Sequence, residues 1–313
     1  MNLKLLYRHE TILFLILVCV MGTLAVYNDR FLTSANLLNQ GRLMTEVGLI
    51  VIAMTFVIIT GGIDLSVGST VGLSAILVGV FWKLGLPLPL AAFLAIVVGT
   101  VGGFLNGLII TRFRVPPLIA TLATLALYRG LAEGISQAQS VRGYPAWFLS
   151  IGQGNLFGVP TQLWLLGVVA ISGIFILRFT PVGRKIYAIG NNEAAARYSG
   201  VDVARIKLWI YAGSGLLASI AAVVFVSRVS TTRSDMGTGL ELDAITAVVL
   251  GGTSIFGGRG SIVGSLLGLV LIQALKNGLS LSGVKGDGTI VVIGAVLILA
   301  VLISNLVNRF SSE

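Results

Sequence analysis

The stretch RFTPVGRKIYAIGNNEAAARYSGVDVARIK, residues 178–207, is a polar segment between two long apolar runs, Leu163–Leu177 and Trp209–Val226. Its six basic residues outnumber its two acidic ones. In polytopic membrane proteins, loops rich in Lys and Arg stay on the cytoplasmic side. We therefore expect two membrane-spanning helices joined by a long cytoplasmic loop, and a loop of this size indicates contact with a soluble partner.

The composition of the whole chain is that of an integral membrane protein. Hydrophobic residues make up 56% of the 313 positions, charged residues only 11%, and the mean hydropathy is +0.98. A soluble domain carries about 25% charged residues. The net charge of +9 comes from basic residues near apolar ends. It therefore indicates membrane orientation and contact with anionic lipids, and it does not indicate nucleic-acid binding.

Apolar runs long enough to cross a bilayer, roughly 17–25 residues each, recur along the chain. They predict an all-α polytopic membrane protein with about ten transmembrane helices in a single transmembrane domain, residues 1–313. The predicted spans are residues 12–27, 47–60, 67–82, 88–110, 117–135, 162–178, 208–227, 242–256, 261–279 and 289–307. The first run also has the outline of a cleavable signal peptide, but we expect an uncleaved span. An even number of spans places both termini on the same side of the membrane, and the excess of Lys and Arg on that side predicts that it is the cytoplasm.

Two glycine-rich segments form an internal repeat. Residues 61–72 read GGIDLSVGSTVG and residues 251–264 read GGTSIFGGRGSIVG, and each follows one apolar run and opens another. Matching breaks in two halves indicate discontinuous helices that line a cavity or are buried in protein. Tight turns between helices would explain the pattern equally well. Further glycines, spaced four apart, predict close helix packing: Gly68 and Gly72, Gly103 and Gly107, and Gly264 and Gly268.

Polar side chains inside spans are candidates for a substrate pathway because they are expensive in lipid. For Asp64 we favour the N-cap of the helix that starts near Leu65, with a gating role as the alternative. Arg129 and Glu133 are four residues apart and can pair on one helix. Polar residues also bond within helix bundles for structural reasons. The candidate pathway residues are Asp64, Ser66, Asn106, Thr121, Thr124, Arg129, Glu133, Gln273 and Asn277.

The sequence predicts no catalytic activity, cofactor or metal site. It contains no G-x-x-x-x-G-K-[ST] motif for binding ATP phosphates. The single histidine, His9, and the single cysteine, Cys19, cannot form a metal cluster or a disulfide.

Four segments, in order, resemble the permease subunits of bacterial ABC sugar importers, in the class that serves ribose, xylose, rhamnose and autoinducer-2. They are GGIDLSVGS (61–69), FLNGLIITRFRVPPLIATLATLALYRG (104–130), FTPVGRKIYAIGNNEAAARYSGV (179–201) and GTGLELDAITAVVLGGTSIFGGRGSIVGSLLG (237–268). The resemblance implies a permease domain in the bacterial inner membrane that moves a small neutral sugar by alternating access. It also implies cytoplasmic ATPase subunits, a second permease subunit that is identical or paralogous, and a periplasmic or lipid-anchored sugar-binding protein.

The resemblance further implies that the 178–207 loop docks on the ATPase. The broader importer signature is EAA, three residues, then Gly. Glu193 begins such an EAA, but Gly200 falls one position late, and counting from Ala194 restores the spacing and loses the glutamate. The small residues of the loop fit a short helix held in a groove. The candidate coupling residues are Gly183, Gly190, Asn191, Asn192, Ala194, Ala195, Ala196 and Gly200.

Other functions compete with this interpretation. An ABC permease for a nucleoside or a branched-chain amino acid shares the overall style, and the preference for a sugar rests on the resemblance. An ion-coupled secondary transporter needs a titratable or sodium-coordinating cluster near the midplane, for which Asp64 alone is thin support. A membrane-embedded enzyme or assembly factor would purify without an ATPase.

Overall fold

A computed structural model of the chain describes residues 9–284 and, beyond them, residues 288, 291, 294, 295 and 298. The described part is mainly helical, with one small antiparallel hairpin of β1 (Asn155–Leu156) and β2 (Val159–Pro160). In chain order the helices are α1 His9–Tyr27, α2 Ser34–Ile59, α3 Val67–Lys83, α4 Leu88–Arg112, α5 Pro117–Ser136, α6 Ala146–Gln153, α7 Thr161–Phe179, α8 Pro181–Asn191, α9 Glu193–Tyr198, α10 Val203–Val229, α11 Leu240–Leu250 and α12 Ile262–Leu281.

Seven of the described helices are long and apolar enough to cross a membrane: α1, α2, α4, α5, α7, α10 and α12. The apolar α3 is slightly shorter, with 17 residues. Several of these helices start at a proline or at a residue whose side chain caps the helix. Pro116 and Pro117 end the α4–α5 turn and open α5, and the Asp202 and Ser261 side chains cap α10 and α12. The predicted class, an all-α polytopic membrane protein, is therefore confirmed.

The core forms around α2 and α10, which are buried along most of their length. Helix α10 lies against α4, α2 and α3, while α12 lies against α1, α2 and α11. In contrast, α1, α4, α5 and α7 expose large apolar side chains such as Phe14, Phe93, Ile119 and Phe175. Such a surface faces lipid in a membrane protein. The opposite faces of α4 and α5 point into the bundle and carry buried polar side chains such as Asn106 and Thr121.

Close helix packing depends on glycine at the α4–α10 crossing. A Cβ added at Gly103 would overlap the Tyr211 carbonyl oxygen, and one at Gly215 would overlap the Gly99 carbonyl oxygen. The two backbones touch here because neither helix carries a side chain at the contact. The same holds where Gly264 and Gly268 of α12 meet α11. The helix packing predicted for Gly103 and Gly107 and for Gly264 and Gly268 is confirmed. The third pair, Gly68 and Gly72 of α3, lies instead against the backbone of the non-helical residues 234–237.

The two ends of the bundle are distinct. The inner end, as we name it, carries α8 and α9 together with the segments 60–66 and 251–261. Its contacts include Gly258 N–H to the Ile59 carbonyl at 2.9 Å and His9 Nε2 to the Leu250 carbonyl at 3.0 Å. The outer end is opposite, where Asn28 Nδ2 donates to the Leu281 carbonyl at 3.3 Å.

Two predicted spans differ from the structure, and a third is not described. The second span, predicted at 47–60, is the longer α2, which begins at Ser34 because the Thr33 side chain caps the helix there. The eighth, predicted at 242–256, is the short α11, which ends at Leu250. At about 1.5 Å per residue, α11 is only half as long as a bilayer is thick. The tenth, 289–307, lies largely outside the described residues.

An irregular segment, residues 230–239, precedes α11. It runs beside α3. A Cβ added at Gly79 would overlap the Thr232 side chain, and one added at Gly68 would overlap the Gly237 carbonyl oxygen. Irregular backbone at membrane depth is tolerated where protein buries it. Residues 230–250 are therefore half irregular and half helical.

Candidate functional site: the helix breaks and the α8–α9 segment

The first break, residues 60–66, begins where α2 ends in a Schellman motif. Gly61 has φ +76°, and the Gly62 and Gly61 N–H groups donate to the Val57 and Ile58 carbonyls at 3.1 and 2.9 Å. A left-handed residue at this position is the usual way to end a helix, and glycine adopts it without a steric penalty. The chain then reverses direction within a few residues and enters α3.

Asp64 is the centre of the first break and is almost completely buried, with 1% of its surface exposed. One carboxylate oxygen accepts from the Ser66 N–H at 3.0 Å and from the Ser66 hydroxyl at 2.6 Å. The other accepts from the Ser214 hydroxyl of α10 at 2.7 Å. A buried carboxylate needs such donors because its desolvation is expensive. Asp64 therefore ties the start of α3 to α10.

Two further side chains attach the first break to α4 and α5. Asn106 of α4 donates to the Ser66 hydroxyl oxygen at 2.8 Å, and Thr121 of α5 donates to the Ile63 carbonyl at 3.2 Å. Thr124 is buried one turn later, bonded within its own helix. The sequence-predicted residues Asp64, Ser66, Asn106, Thr121 and Thr124 thus lie in one buried region.

Two members of this region were missed by sequence reasoning, Ser214 and Tyr211 of α10. The only sequence signal was a serine between two glycines, GSG at 213–215, within an apolar run. Tyr211 is 1% exposed. Its hydroxyl and the Asn106 Oδ1 have no hydrogen-bond partner among the described residues. Buried polar atoms of this kind are uncommon in native structures, so the region has capacity for a further hydrogen-bonding group.

The N-cap role predicted for Asp64 needs correction, whereas the gating role stays a prediction. The N-cap residue of α3 is Ser66, not Asp64, because α3 starts at Val67. The Asp64 carboxylate accepts one hydrogen bond from the Ser66 backbone N–H and two more from the Ser66 and Ser214 hydroxyls. Arg259, the basic residue of the second glycine-rich segment, is exposed and is not among the groups bonded to the carboxylate.

Arg129 does not pair with Glu133. Its guanidinium crosses to the irregular segment 230–239 and donates to the Ser234 and Met236 carbonyls at 2.5 and 3.1 Å, while Glu133 is exposed. Carbonyls freed by an irregular backbone must find donors when water is absent. Arg129 supplies them, which explains a partly buried cation in this span.

Gln273 and Asn277 lie in a different place, between α12 and the outer half of α2. Asn277 and Asn36 exchange amide hydrogen bonds of 3.1 and 2.8 Å, and Gln273 donates to Gln40 at 2.7 Å. These amides satisfy one another, as polar groups between membrane helices usually do. The candidate pathway residues therefore fall into three separate groups.

The α8–α9 segment forms two short helices at the inner end. The Asn192 side chain caps α9 by accepting from the Ala195 N–H at 2.9 Å. Glu193 is paired with Lys207 at 2.6 Å and with Arg197 at 3.1 Å, which fixes α9 against the start of α10. Of the three alanines, Ala196 is buried, while Ala194 and Ala195 are exposed. Gly200 follows in the left-handed region, with φ +81°.

The end of α8 contacts both glycine-rich breaks. A Cβ added at Gly190 would overlap the Ile59 carbonyl oxygen, just before the first break, and the Gly258 nitrogen of the second. Gly258 itself donates its N–H to Ile59 at 2.9 Å. We call this meeting of Ile59, Gly190 and Gly258 the three-way junction. Gly183, at the other end of α8, packs closely on the end of α7.

The second break, residues 251–261, opens with the same Schellman motif. Gly252 has φ +87°, and the Thr253 and Gly252 N–H groups donate to the Val248 and Val249 carbonyls at 3.2 and 2.9 Å. In the first break the left-handed residue is Gly61, the first of the two glycines. In the second break it is Gly252, the second of the two. The two breaks thus open with the same type of turn, displaced by one position within the glycine pair.

Comparison with known proteins identifies the chain. A family model described as "Branched-chain amino acid transport system / permease component" matches residues 36–301. The ribose import permease protein RbsC of Escherichia coli K12 is 39% identical over 308 residues, covering 96% of this chain and 94% of that protein. RbsC of Bacillus subtilis 168 is 42% identical, covering 89% of this chain and 87% of that protein. The chain belongs to this family of importer permeases.

A third relative is named for a different solute. The autoinducer 2 import system permease protein LsrD of Yersinia enterocolitica is 37% identical, covering 96% of this chain and 93% of that protein. No solved structure matches the chain. As the sequence predicted, the permease is a multi-pass membrane transport component of an ABC importer and not an enzyme, because its relatives are all permease components.

Proposed function

We propose that this permease moves a small neutral sugar or sugar-like solute into a bacterial cell, driven by ATP hydrolysis on partner subunits. The observation that carries the proposal is the similarity, over nearly the whole chain, to relatives named for ribose and autoinducer 2 import. The buried charges agree with a neutral solute. Asp64 is occupied by hydroxyl and N–H donors, and Arg129 by carbonyls, so neither is left to bind a charged substrate.

The proposed coupling route runs through the α8–α9 segment. A cytoplasmic ATPase holds the exposed surface that includes Asn191, Asn192, Ala194, Ala195 and Gly200. Displacement of this segment reaches both glycine-rich breaks at the three-way junction, because the Gly190 backbone lies directly on Ile59 and Gly258. Packed interfaces shift between discrete arrangements rather than deform continuously. Movement of α8 therefore re-aims α3 and α11, which flank the buried polar region.

The proposed topology has ten spans in a single permease domain, residues 1–313, with the two glycine-rich breaks as related elements of an internal repeat. Helix α1 starts at the inner end and α12 finishes at the outer end. With the span predicted from the sequence at 289–307, the C-terminus returns to the inner end, and the basic charge of the α8–α9 segment supports a cytoplasmic location for that end. Two permease subunits, identical or paralogous, enclose the route, and a periplasmic or lipid-anchored binding protein delivers the solute.

Cysteine labelling tests the topology. In a Cys19→Ser background, Asn192→Cys and Ser150→Cys place single thiols on exposed positions of the α8–α9 segment and of α6. In intact spheroplasts, a membrane-impermeant maleimide should label Ser150→Cys and spare Asn192→Cys. Labelling of Asn192→Cys from outside refutes the orientation and the ATPase-docking surface together.

Reconstituted uptake tests the function. Proteoliposomes that contain the permease, its ATPase subunits and its binding protein should accumulate labelled ribose only when ATP is present on the cytoplasmic side of the permease. Labelled leucine and adenosine should not enter. Uptake that continues without ATP and stops when ion gradients are collapsed would establish a secondary transporter instead. ATP-dependent uptake of leucine or adenosine would retain the importer and replace the solute.

A further inference from the structure

A cavity at the inner end has no part in the function proposed above. It has a volume of about 720 Å³ and lies between the start of α1, the α7–α8 turn and the second break. This size is within the range of ligand sites in proteins, about 300–1,000 Å³. One wall is apolar, formed by Ile174, Leu177, Ile262 and Val263, and the other carries Arg178 and Arg184.

The polar wall of the cavity has an unbalanced positive charge. Neither Arg178 nor Arg184 has a hydrogen bond or ion pair within the part of the chain that the structure describes. Glu10 also lines the cavity, but the Ser261 hydroxyl donates to its carboxylate. His9 is engaged with the Leu250 carbonyl. Two guanidinium groups therefore face one carboxylate that already has a partner.

Tyr187 confirms that these charges share one space. Its hydroxyl donates to the Gly260 carbonyl at 2.8 Å. Burial raises the pKa of Tyr187, the Glu10 carboxylate raises it further, and the Arg178 guanidinium opposes both. Glu10 of α1 and Arg178 of α7 thus both act on the same tyrosine of α8.

The cavity lies at the boundary between lipid and water. Arg178 is in the last turn of α7, where a span leaves the membrane. The residues after Glu10 on α1 include the exposed apolar side chains Ile12, Phe14 and Leu15, which a membrane-spanning helix presents to lipid. Val263, on the apolar wall, is also partly exposed. A ligand here meets hydrocarbon on one side and two guanidinium groups on the other.

We propose that this cavity binds an anionic phospholipid of the inner leaflet, with the phosphate between Arg178 and Arg184 and an acyl chain along Ile174 and Val263. Guanidinium groups bind phosphate with paired, charge-assisted hydrogen bonds, and basic pockets between helices on the cytoplasmic side favour anionic headgroups. The apolar wall distinguishes a lipid from a free phosphate compound, because a soluble anion gains nothing from it.

Binding of such a lipid would join α8 to the second break, since Gly251, Gly252 and Gly260 line the same cavity. This consequence rests on the proposed coupling role of α8, whereas lipid binding itself does not. Binding and coupling are therefore measured separately.

Lipid retention tests the site. The full chain is purified in detergent with phosphatidylglycerol, washed and analysed by native mass spectrometry, and its melting temperature is recorded against added phosphatidylglycerol or phosphatidylcholine. Wild type should retain and be stabilised by phosphatidylglycerol. Arg178→Gln with Arg184→Gln should bind it about thirtyfold more weakly, from the loss of two surface charges. Lys185→Gln, which removes one charge from the residue next to Arg184 outside the cavity, should match wild type.

Three results would overturn the proposal. The first is equal phosphatidylglycerol retention in the double glutamine variant and in Lys185→Gln. The second is equal stabilisation by glycerol phosphate, which would establish a soluble anion as ligand. The third is unchanged lipid retention with reduced ATPase copurification, which would assign the arginines to the partner. Arg178→Lys with Arg184→Lys keeps the charge and should restore most of the binding, and it remains informative if the glutamine variant does not fold.

Discussion

The two glycine-rich breaks begin alike and then differ. Each opens with a Schellman motif on a left-handed glycine, Gly61 in the first and Gly252 in the second. The first break is short and is fixed by the buried Asp64. The second is longer, holds further left-handed glycines such as Gly257 and Gly258, and exposes Arg259.

The difference lies in the anchors rather than in the turn. In the first break, hydrogen bonds from Ser214, Asn106 and Thr121 reach three helices, α10, α4 and α5. The second is bonded to elements of the inner end: Gly258 N–H donates to the Ile59 carbonyl, the Tyr187 hydroxyl donates to the Gly260 carbonyl, and the Ser261 hydroxyl donates to Glu10. Its exposed residues include Gly252 and Arg259, whereas Asp64 of the first break is buried. Elements with few buried contacts and exposed backbone open more easily. The comparison therefore predicts a fixed first break and an adaptable second break that meet at the three-way junction.

The largest effect should follow substitution at that junction. Gly190→Val should abolish transport and lower the free energy of unfolding by about 3 kcal/mol, because the side chain overlaps backbone atoms of Ile59 and Gly258. Gly167→Ala on α7 is the control, since a Cβ there meets nothing within 4 Å. Uptake in proteoliposomes and unfolding in mixed micelles measure the two quantities. Normal transport by Gly190→Val would remove the junction from the coupling route.

A smaller effect is expected at the anchor of the first break. Asp64→Ala should lower the free energy of unfolding by about 2 kcal/mol, because Ser66 and Ser214 lose a charged acceptor in a buried place. Asp64→Asn keeps one carbonyl acceptor and the serine hydroxyls can rotate, so it should lose only about half as much.

Uptake and membrane abundance of these two variants separate anchoring from gating. If Asp64 is an anchor, transport by Asp64→Asn should follow its abundance. Transport that fails in Asp64→Asn as completely as in Asp64→Ala, at normal abundance, would show that the negative charge itself is needed for gating.

The two turn glycines provide a matched pair. Gly61→Ala should lower the free energy of unfolding by about 1 kcal/mol, from left-handed strain alone, since a Cβ there is 3.7 Å from the nearest atom, the Phe256 carbonyl oxygen. Gly252→Ala should lose somewhat more, because its Cβ also meets the His9 ring. If Gly61→Asn, which tolerates this conformation better, is no more stable than Gly61→Ala, strain is not the cause.

The smallest effect belongs to the exposed residue of the second break. Arg259→Gln should change the free energy of unfolding by less than about 0.5 kcal/mol, as is usual for surface positions. Its effect should add to that of Asp64→Asn in the double variant, because Asp64 is bonded to Ser66 and Ser214 and not to Arg259. An interaction energy above about 0.5 kcal/mol in this cycle would restore direct pairing between the breaks.

Several predictions depended only on local sequence and held for that reason. Long apolar runs specify spanning helices because a backbone in lipid must satisfy its own hydrogen bonds. Thus the spans predicted near 88–110, 117–135 and 162–178 agree with α4, α5 and α7 to within two residues. The family was equally accessible, because its motifs are continuous segments. The four-residue spacing of Gly103 and Gly107 was enough to predict close helix packing.

Partner choice among buried polar groups was not accessible from the sequence. Arg129 and Glu133 are on one helix at pairing distance, yet Arg129 bonds to carbonyls more than a hundred positions away. The sequence could not show that 230–239 leaves helical form beside α3, since such a segment is stable only when other helices bury it. Ser214 became part of the site for the same reason, since α10 brings it to Asp64.

The sequence by itself determined the membrane class, the basic α8–α9 segment and the positions of both glycine-rich breaks, because hydropathy, charge and glycine act locally. Only the tertiary structure decided that Asp64 anchors α3 to α10, that Gln273 and Asn277 lie elsewhere, and that Gly190 rests on both breaks. Those contacts join residues far apart in the chain, and packing between helices, not the residues' own preferences, selects which of many polar or small groups meet.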